Sequence, residues 1–314
     1  MTTGSEISRE DQLLLTSSSS SSKPKKKRSK RQLNTTYFKQ RFLLFSRFNE
    51  GIRLDRESWY SVTPEPIARH IAERIERALI RHSAASTSPS SSANQFIILD
   101  GFCGAGGNTI QFALMPSTAL VYAVDIDPRK IELARHNASI YGCLDKIQFI
   151  VADFFEVIQG DRLPCSLVDA CFLSPPWGGP DYLTYESYSL AQMTPDGFEI
   201  ARRVADRVTK NISFLLPRNF DMGELPSLSS IVYQNDVGSG EMEKSVEIEE
   251  NMLYKKVKTL TAYFGHLVIR KEGDDGGGSG DGGADEKEVS ALFKTAQVCS
   301  PPPIYLADEE EEEE

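Results

Sequence analysis

The sequence predicts a parallel, doubly wound α/β sheet over the middle of the chain, entered through a helical extension and flanked by low-complexity ends. Three observations predict it. From Phe96 onward, short apolar runs (FIILD, LVYAVDID, IQFIVADF, LVDACFLS) alternate with helix-length segments. Second, these runs are apolar on both faces, and such strands separated by helices belong to parallel sheets covered on each side. Third, 40% of the 314 residues are hydrophobic, enough to bury a domain-sized core.

Residues 1–33 combine the serine run Ser17 to Ser22 with the basic stretch Lys23 to Arg31, a composition that cannot offset its ordering entropy by burial and predicts a disordered tail. Within it, Pro24 to Lys30 reads PKKKRSK. A flexible basic peptide of this kind fits the acidic pockets of a nuclear import receptor and predicts a nuclear protein; a solvated basic tail touching RNA phosphates is the alternative. Residues 34–82 form the helical extension. After the polar and aromatic stretch Tyr37 to Tyr60, Thr63 is placed to cap a helix whose first position is Pro64, and Ile67, Ile71, Ile75 and Leu79 recur every four residues until the helix ends near His82. The Ser- and Ala-rich residues 83–94 are a linker.

The main domain spans residues 95–270. Its helices are Asn108 to Leu114, Pro128 to Tyr141 and Gly197 to Lys210; ISFLLP and KTLTAYFGHLVIR supply two further strands, and Asp221 to Asn251 reads as an acidic, irregular insertion. Residues 271–314, with their Gly/Asp run, proline triplet and acidic terminus, are expected to be flexible and receive no fold.

A net charge of −10 argues against a protein held to RNA by bulk electrostatics, so recognition of any nucleic acid should be local. The five cysteines show no Cys-x-x-Cys spacing, and four of them lie in apolar or Gly-rich contexts that suit buried free thiols, which predicts a reducing compartment. There is no apolar run of roughly 20 residues and no secretory signal, which predicts a protein neither exported nor membrane-spanning. His70, His82, His136 and His266 fall outside the strand-end loops and read as structural or solvent-facing, and no metal cluster is evident.

The chemistry sits at four strand ends. Leu99 to Thr109, LDGFCGAGGNT, leaves the first strand and enters a helix; its glycines permit a tight turn and close approach of backbone to a ligand. The dinucleotide pattern G-x-G-x-x-G is not met. Asp100, directly before the loop, would repel a pyrophosphate but attract the ammonium and sulfonium of S-adenosylmethionine, so charge selects that cofactor, with Phe102, Cys103, Gly104, Gly106, Asn108 and Thr109 around it. Asp125, at the end of the second strand, is placed for the ribose hydroxyls, with Ile126 beside it. Asp127 is instead a helix cap with Pro128 at the first position. Asp153 and Phe154, after the third strand, suit the adenine as an N6 acceptor and a flat neighbour.

After the fourth strand comes Ser174-Pro175-Pro176-Trp177-Gly178-Gly179-Pro180. Successive prolines fix φ and leave carbonyls able to hold a planar amine, and Trp177 offers a broad stacking face, a combination that suits an aminopurine. Here the chain resembles the trimethylguanosine synthases, which convert the 7-methylguanosine cap of small nuclear and nucleolar RNAs to a 2,2,7-trimethylguanosine cap. The resemblance runs from Tyr37 to about Arg270 and includes FSRFNEGIRLDRESWYSVTPEPIA, DGFCGAGGNTIQFA, AVDIDPRKIELARHNASIYG, SPPWGGPDY and FLLPRN.

The resemblance implies a class I (Rossmann-like) methyltransferase with a seven-stranded, mostly parallel sheet and an N-terminal helical extension that closes over S-adenosylmethionine through Phe45 and Thr63. It implies that Asp100, Asp125 and Asp153 hold the cofactor, that Ser174, Pro175 and Trp177 carry catalysis, and that Pro176, Tyr182, Arg218 and Asn219 complete the site for 7-methylguanosine-capped RNA, with small ribonucleoprotein components as possible partners. Thr36 stands where relatives often carry a phosphate-binding lysine, a role for which Lys39 is the available substitute. Two other readings remain open on sequence. One is a methyltransferase for an internal guanine or adenine amine of RNA or DNA; the other is an inactive nuclear adaptor, against which the intact strand-end acids argue.

Overall fold

In the computed structural model the residues described are 38–85, 95–234, 245–269 and 291–297. The basic PKKKRSK stretch expected to be an import signal, most of the linker, the Gly/Asp run, Cys299 and the acidic terminus lie outside them. Gln40–Glu314 is one compact unit and carries every element named below.

The extension contributes α1 (Arg41–Leu44), α2 (Ser58–Ser61) and the long α3 (Glu65–Ala85). The predicted apolar stripe of α3 is real: Ile67, Ile71 and Ile75 are fully buried, a contribution of roughly 2 kcal/mol each. Both ends differ from expectation. The helix runs three residues past His82, and the Pro64 carbonyl accepts from the Ile67 and Ala68 N–H groups. Thr63 does not cap it, because its hydroxyl accepts a hydrogen bond from Asn108 instead.

The domain then alternates β1 (Phe96–Asp100), α4 (Gly107–Leu114), β2 (Thr118–Asp125), α5 (Pro128–Tyr141), β3 (Ile147–Val151), α6 (Phe154–Gln159), β4 (Ala170–Leu173), α7 (Gly197–Arg207), β5 (Ile212–Pro217), α8 (Leu225–Val232), β6 (Val246–Leu253) and β7 (Lys256–Tyr263). The sheet order is β3-β2-β1-β4-β5-β7-β6; the first five strands are parallel, and β7 runs antiparallel between β5 and β6. This is the expected seven-stranded, mostly parallel sheet. Successive strand residues feed opposite cores, as the two-residue pleat requires. Leu99, Tyr122 and Val124 join the core under α6, α7 and α8, while Ile98, Val121 and Ala123 join the one under α3, α4 and α5. Asp127 accepts from the Arg129 N–H at the start of α5, with Pro128 behind it, as its sequence predicts.

Three expectations need correction. Asp221 to Asn251 is not irregular throughout, since it contains α8 and most of β6. The acids of β6 hid it: Glu247 and Glu249 face inward, where Arg74 and His70 of α3 meet them. The run KTLTAYFGHLVIR is not one strand, because β7 stops at Tyr263 and Gly265, at φ +61°, opens a 3₁₀ turn. A Cβ at Gly265 would stand 2.7 Å from the Lys210 carbonyl oxygen, so the chain turns there on a residue without one. Finally, β8 (Ala291–Gln297), within the segment expected to have no fold, pairs in parallel with β6 as an eighth strand. Its short apolar run is flanked by Gly/Asp and Pro/acid stretches that masked it.

Candidate active site

The strand order reverses between β1 and β4, and in open α/β sheets the crevice beyond the carboxyl ends at such a point takes the ligand. A cavity of about 470 Å³ opens there, a volume typical of small-molecule sites. The β1 loop from Gly101 to Ala105 lines it with Asn108, together with Asp125, Ile126 and Asp127 after β2 and Ala152, Asp153 and Phe154 after β3. Ser174 and Pro176 after β4 complete that side, and Thr63 brings the extension to the wall.

Local bonds fix the shape. Asp125 accepts from the Gly104 N–H through Oδ2 and from the Asp127 N–H through Oδ1, both at 2.9 Å, which ties the glycine loop to β2; burial raises its pKa. Asp153 accepts from the Phe155 and Glu156 N–H groups and so caps α6 from the cavity edge. Phe154 and Phe102 meet with ring centroids 5.0 Å apart. Of the residues expected around a cofactor, Thr63, Phe102, Cys103, Gly104, Asn108, Asp125, Ile126, Asp153 and Phe154 therefore converge.

Four others stand behind the wall. Phe45 is buried in the core beside the Tyr141 ring. Gly106, at φ +91°, has Ala134 Cα 3.1 Å from where a Cβ would stand, so it allows α4 to pass close to α5. Thr109 donates to Asp100 Oδ2 at 2.6 Å. Asp100 itself is wholly buried and does not present its carboxylate to the cavity as its strand-end position suggests; burial pushes its pKa up to about 7. Its oxygens accept from Thr109 and the Phe102 N–H, so it shapes the loop from beneath.

The predicted substrate residues divide in the same way. Ser174 is on the cavity wall and donates to the Phe102 carbonyl at 3.3 Å, joining the β4 loop to the β1 loop. Pro176 is exposed beside it, and Pro175 is buried. Trp177 lies just outside the wall, half-buried between the two cores, with the Tyr182 ring edge-on at 5.2 Å. The Tyr188 hydroxyl donates to the Trp177 carbonyl, and Asn219 Nδ2 donates to the carbonyls of Tyr182 and Tyr185. Asn219 thus holds the aromatic loop together, while Arg218, its neighbour, is exposed.

Residues 95–267 match the RNA cap guanine-N2 methyltransferase family. The chain belongs to this family. It is 38% identical to the trimethylguanosine synthase of Schizosaccharomyces pombe over 62% of this chain and 75% of that protein, and 35% identical to that of Saccharomyces cerevisiae over 60% of this chain and 56% of that protein. Among solved structures, a human methyltransferase 10 domain-containing protein superposes with a TM-score of 0.49 at 14% identity, covering 74% of this chain and 95% of that one.

A cap guanine-N2 methyltransferase uses S-adenosylmethionine and acts on capped RNA. The cavity fits that cofactor: Asn108 Oδ1 is buried at the wall without a hydrogen-bond partner, an acceptor suited to an amine or hydroxyl donor, and Asp125 keeps lone pairs beyond the two it uses. Sequence reasoning missed part of the wall, namely Glu57, Ser61, Val62, Lys130, Thr194 and Pro195. Lys130 is the informative omission. Its ammonium donates to Asp55 at 3.0 Å and Ser58 at 3.2 Å and pairs with Glu57, so α5 grips the extension beside the cavity. The acids of Asp55-Arg-Glu-Ser58 were legible, but their partner, 72 to 75 positions away, was not.

Proposed function

We propose that this methyltransferase adds methyl groups to the exocyclic N2 of a 7-methylguanosine RNA cap and carries it to the 2,2,7-trimethylguanosine form, with small nuclear and nucleolar RNAs as substrates. The observation that carries the reading is the junction of two loops: Ser174 stands on the cofactor-sized cavity and is bonded to the β1 loop, and Trp177 follows three residues later with the Tyr182 ring edge-on to it.

S-adenosylmethionine supplies an electrophilic methyl group. Asp125, Ile126, Asp153 and Phe154 would hold its nucleoside, and Asn108 and the β1 loop backbone its amino-acid end. Ser174 and the Pro175 carbonyl would orient the guanine amine. Trp177 would stack on the base, where a positively charged 7-methylguanine gains a cation–π contribution of roughly 1 to 2 kcal/mol over guanine. The same positive charge makes the N2 proton more acidic, so orientation suffices and no strong general base is required. Arg218 would meet the cap phosphates.

The test is methyl transfer from labelled S-adenosylmethionine to two cap dinucleotides that differ only at N7. Transfer confined to the 7-methylated cap supports the reading; equal transfer to both removes the role given to Trp177. PKKKRSK further supports nuclear import through a basic-peptide receptor. Deleting residues 23–31 should disperse the protein into the cytoplasm, and unchanged nuclear accumulation would reject that assignment.

A further inference from the structure

We propose, building on the cap reading, that the exposed ring of Tyr185 is a stacking platform for the nucleoside that follows the cap's triphosphate bridge, so that the enzyme reads one residue of RNA beyond the methylated guanine.

Tyr185 is 49% exposed and its neighbour Leu183 48% exposed, an unusual pair of large apolar side chains on the loop that leaves Trp177. The loop holds them in place. The Tyr185 ring meets the buried Tyr188 at 6.1 Å, Tyr188 meets Tyr182 at 6.2 Å, and Tyr182 meets Trp177 at 5.2 Å, each edge to face. The Tyr185 carbonyl accepts from Asn219 Nδ2 at 2.9 Å and its N–H donates to the Tyr182 carbonyl at 3.3 Å. Tyr188 also pairs its backbone with Asn219 and Asp221, which anchors the loop to the end of β5.

Tyr185 is therefore continuous with the stacking residue of the proposed site and positioned before any ligand arrives, which lowers the entropy lost on binding. Charge selects the occupant. Arg218, one residue before the asparagine that pins Tyr185, is exposed and suits phosphate, whereas Asp181 and Glu186 flank the loop with negative charge and would turn a phosphate chain toward Arg218. An exposed aromatic whose carbonyl is held by the residue after an exposed arginine, on a chain too acidic to hold RNA by bulk charge, suits a single splayed base bound by stacking.

The test compares KM for 7-methylguanosine triphosphate, which lacks a second nucleoside, with KM for the dinucleotide that carries adenosine after the triphosphate. The unaltered enzyme should favour the dinucleotide roughly 5- to 150-fold, the range of one stacked base. Tyr185→Ala should remove that preference by raising KM for the dinucleotide alone, and Tyr185→Trp should restore it. Equal KM values in the unaltered enzyme, or a Tyr185→Ala effect shared by both substrates, would overturn the platform while leaving the cap reading intact. Methylation of neither substrate would overturn the cap reading, and this proposal with it.

Discussion

Asn108 Nδ2 donates to Thr63 Oγ1 across 2.9 Å, so the extension and the first turn of α4 share one buried hydrogen bond at the cavity wall. The other amide atom, Asn108 Oδ1, has no partner in the protein. Thr63→Val removes the shared bond only, whereas Asn108→Ala removes both atoms. Asn108→Ala should weaken S-adenosylmethionine binding by roughly 5- to 150-fold, the range for a lost buried polar contact, and Thr63→Val by less. Calorimetric titration measures both, and equal losses would show that the free oxygen has no part in binding.

Trp177→Ala should abolish cap methylation while S-adenosylmethionine affinity stays within about twofold, because the indole lies outside the cavity wall. Its carbonyl anchors Tyr188 through the backbone, which the substitution preserves. Parallel loss of cofactor binding would mean that the indole supports the fold instead.

Asp100 makes stability depend on pH. Its folded pKa, about 7, lies above the ordinary 3.8 because it is buried. Between those values the folded state holds a proton that the unfolded state has released, so this residue's contribution falls as pH rises from about 4 to about 7 and is level above that. Asp100→Asn should flatten the decline of thermal stability across that window. An unchanged slope would place the titration elsewhere, on Asp125 or Asp169, whose pKa values burial also raises.

Arg74 donates from Nη2 to Glu247 at 2.5 Å, reaches Glu249 through Nη1 at 3.6 Å and covers the Tyr263 ring at 4.0 Å. Both acids and the arginine are buried. Arg74→Met would leave the buried Glu247 without its cation and Glu249 with His70 alone, a loss of about 3 to 5 kcal/mol. Thermal or denaturant unfolding checks it, and a change below about 1 kcal/mol would mean that the acids take up protons or partners without strain.

Lys130→Met should free residues 55–58 from α5. Because Asp55 and Glu57 are partly exposed, the cost in global stability should be small. Hydrogen exchange should quicken over residues 52–63 and remain unchanged in β1 to β5. Unaltered exchange in the extension would show that its apolar contacts alone secure it.

The sequence legibly carried whatever local physics determines. The strands β1, β2, β4 and β5 are largely apolar on both faces, Asp127 and Pro128 announce the start of α5, and the α3 stripe repeats every four residues. The strand-end loops converge as their positions in an alternating fold require. Features set by distant partners were hidden. Asp100 reads as a ligand for a cation until it is seen wholly buried beneath the loop, bonded to Thr109 and Phe102. Glu247 and Glu249 read as a solvated acidic run because Arg74 lies 173 residues before Glu247. The parallel pairing of β8 with β6 leaves no mark in a segment bounded by glycine, proline and acid.

Cap hypermethylation is tested most sharply by product analysis. An RNA with a 7-methylguanosine cap is incubated with the protein and labelled S-adenosylmethionine, digested to nucleosides and resolved by mass spectrometry. Label is expected on the cap guanine at N2, first once and then twice, and none on the same RNA with an unmethylated cap. Label on an internal base, or on the unmethylated cap, would contradict it.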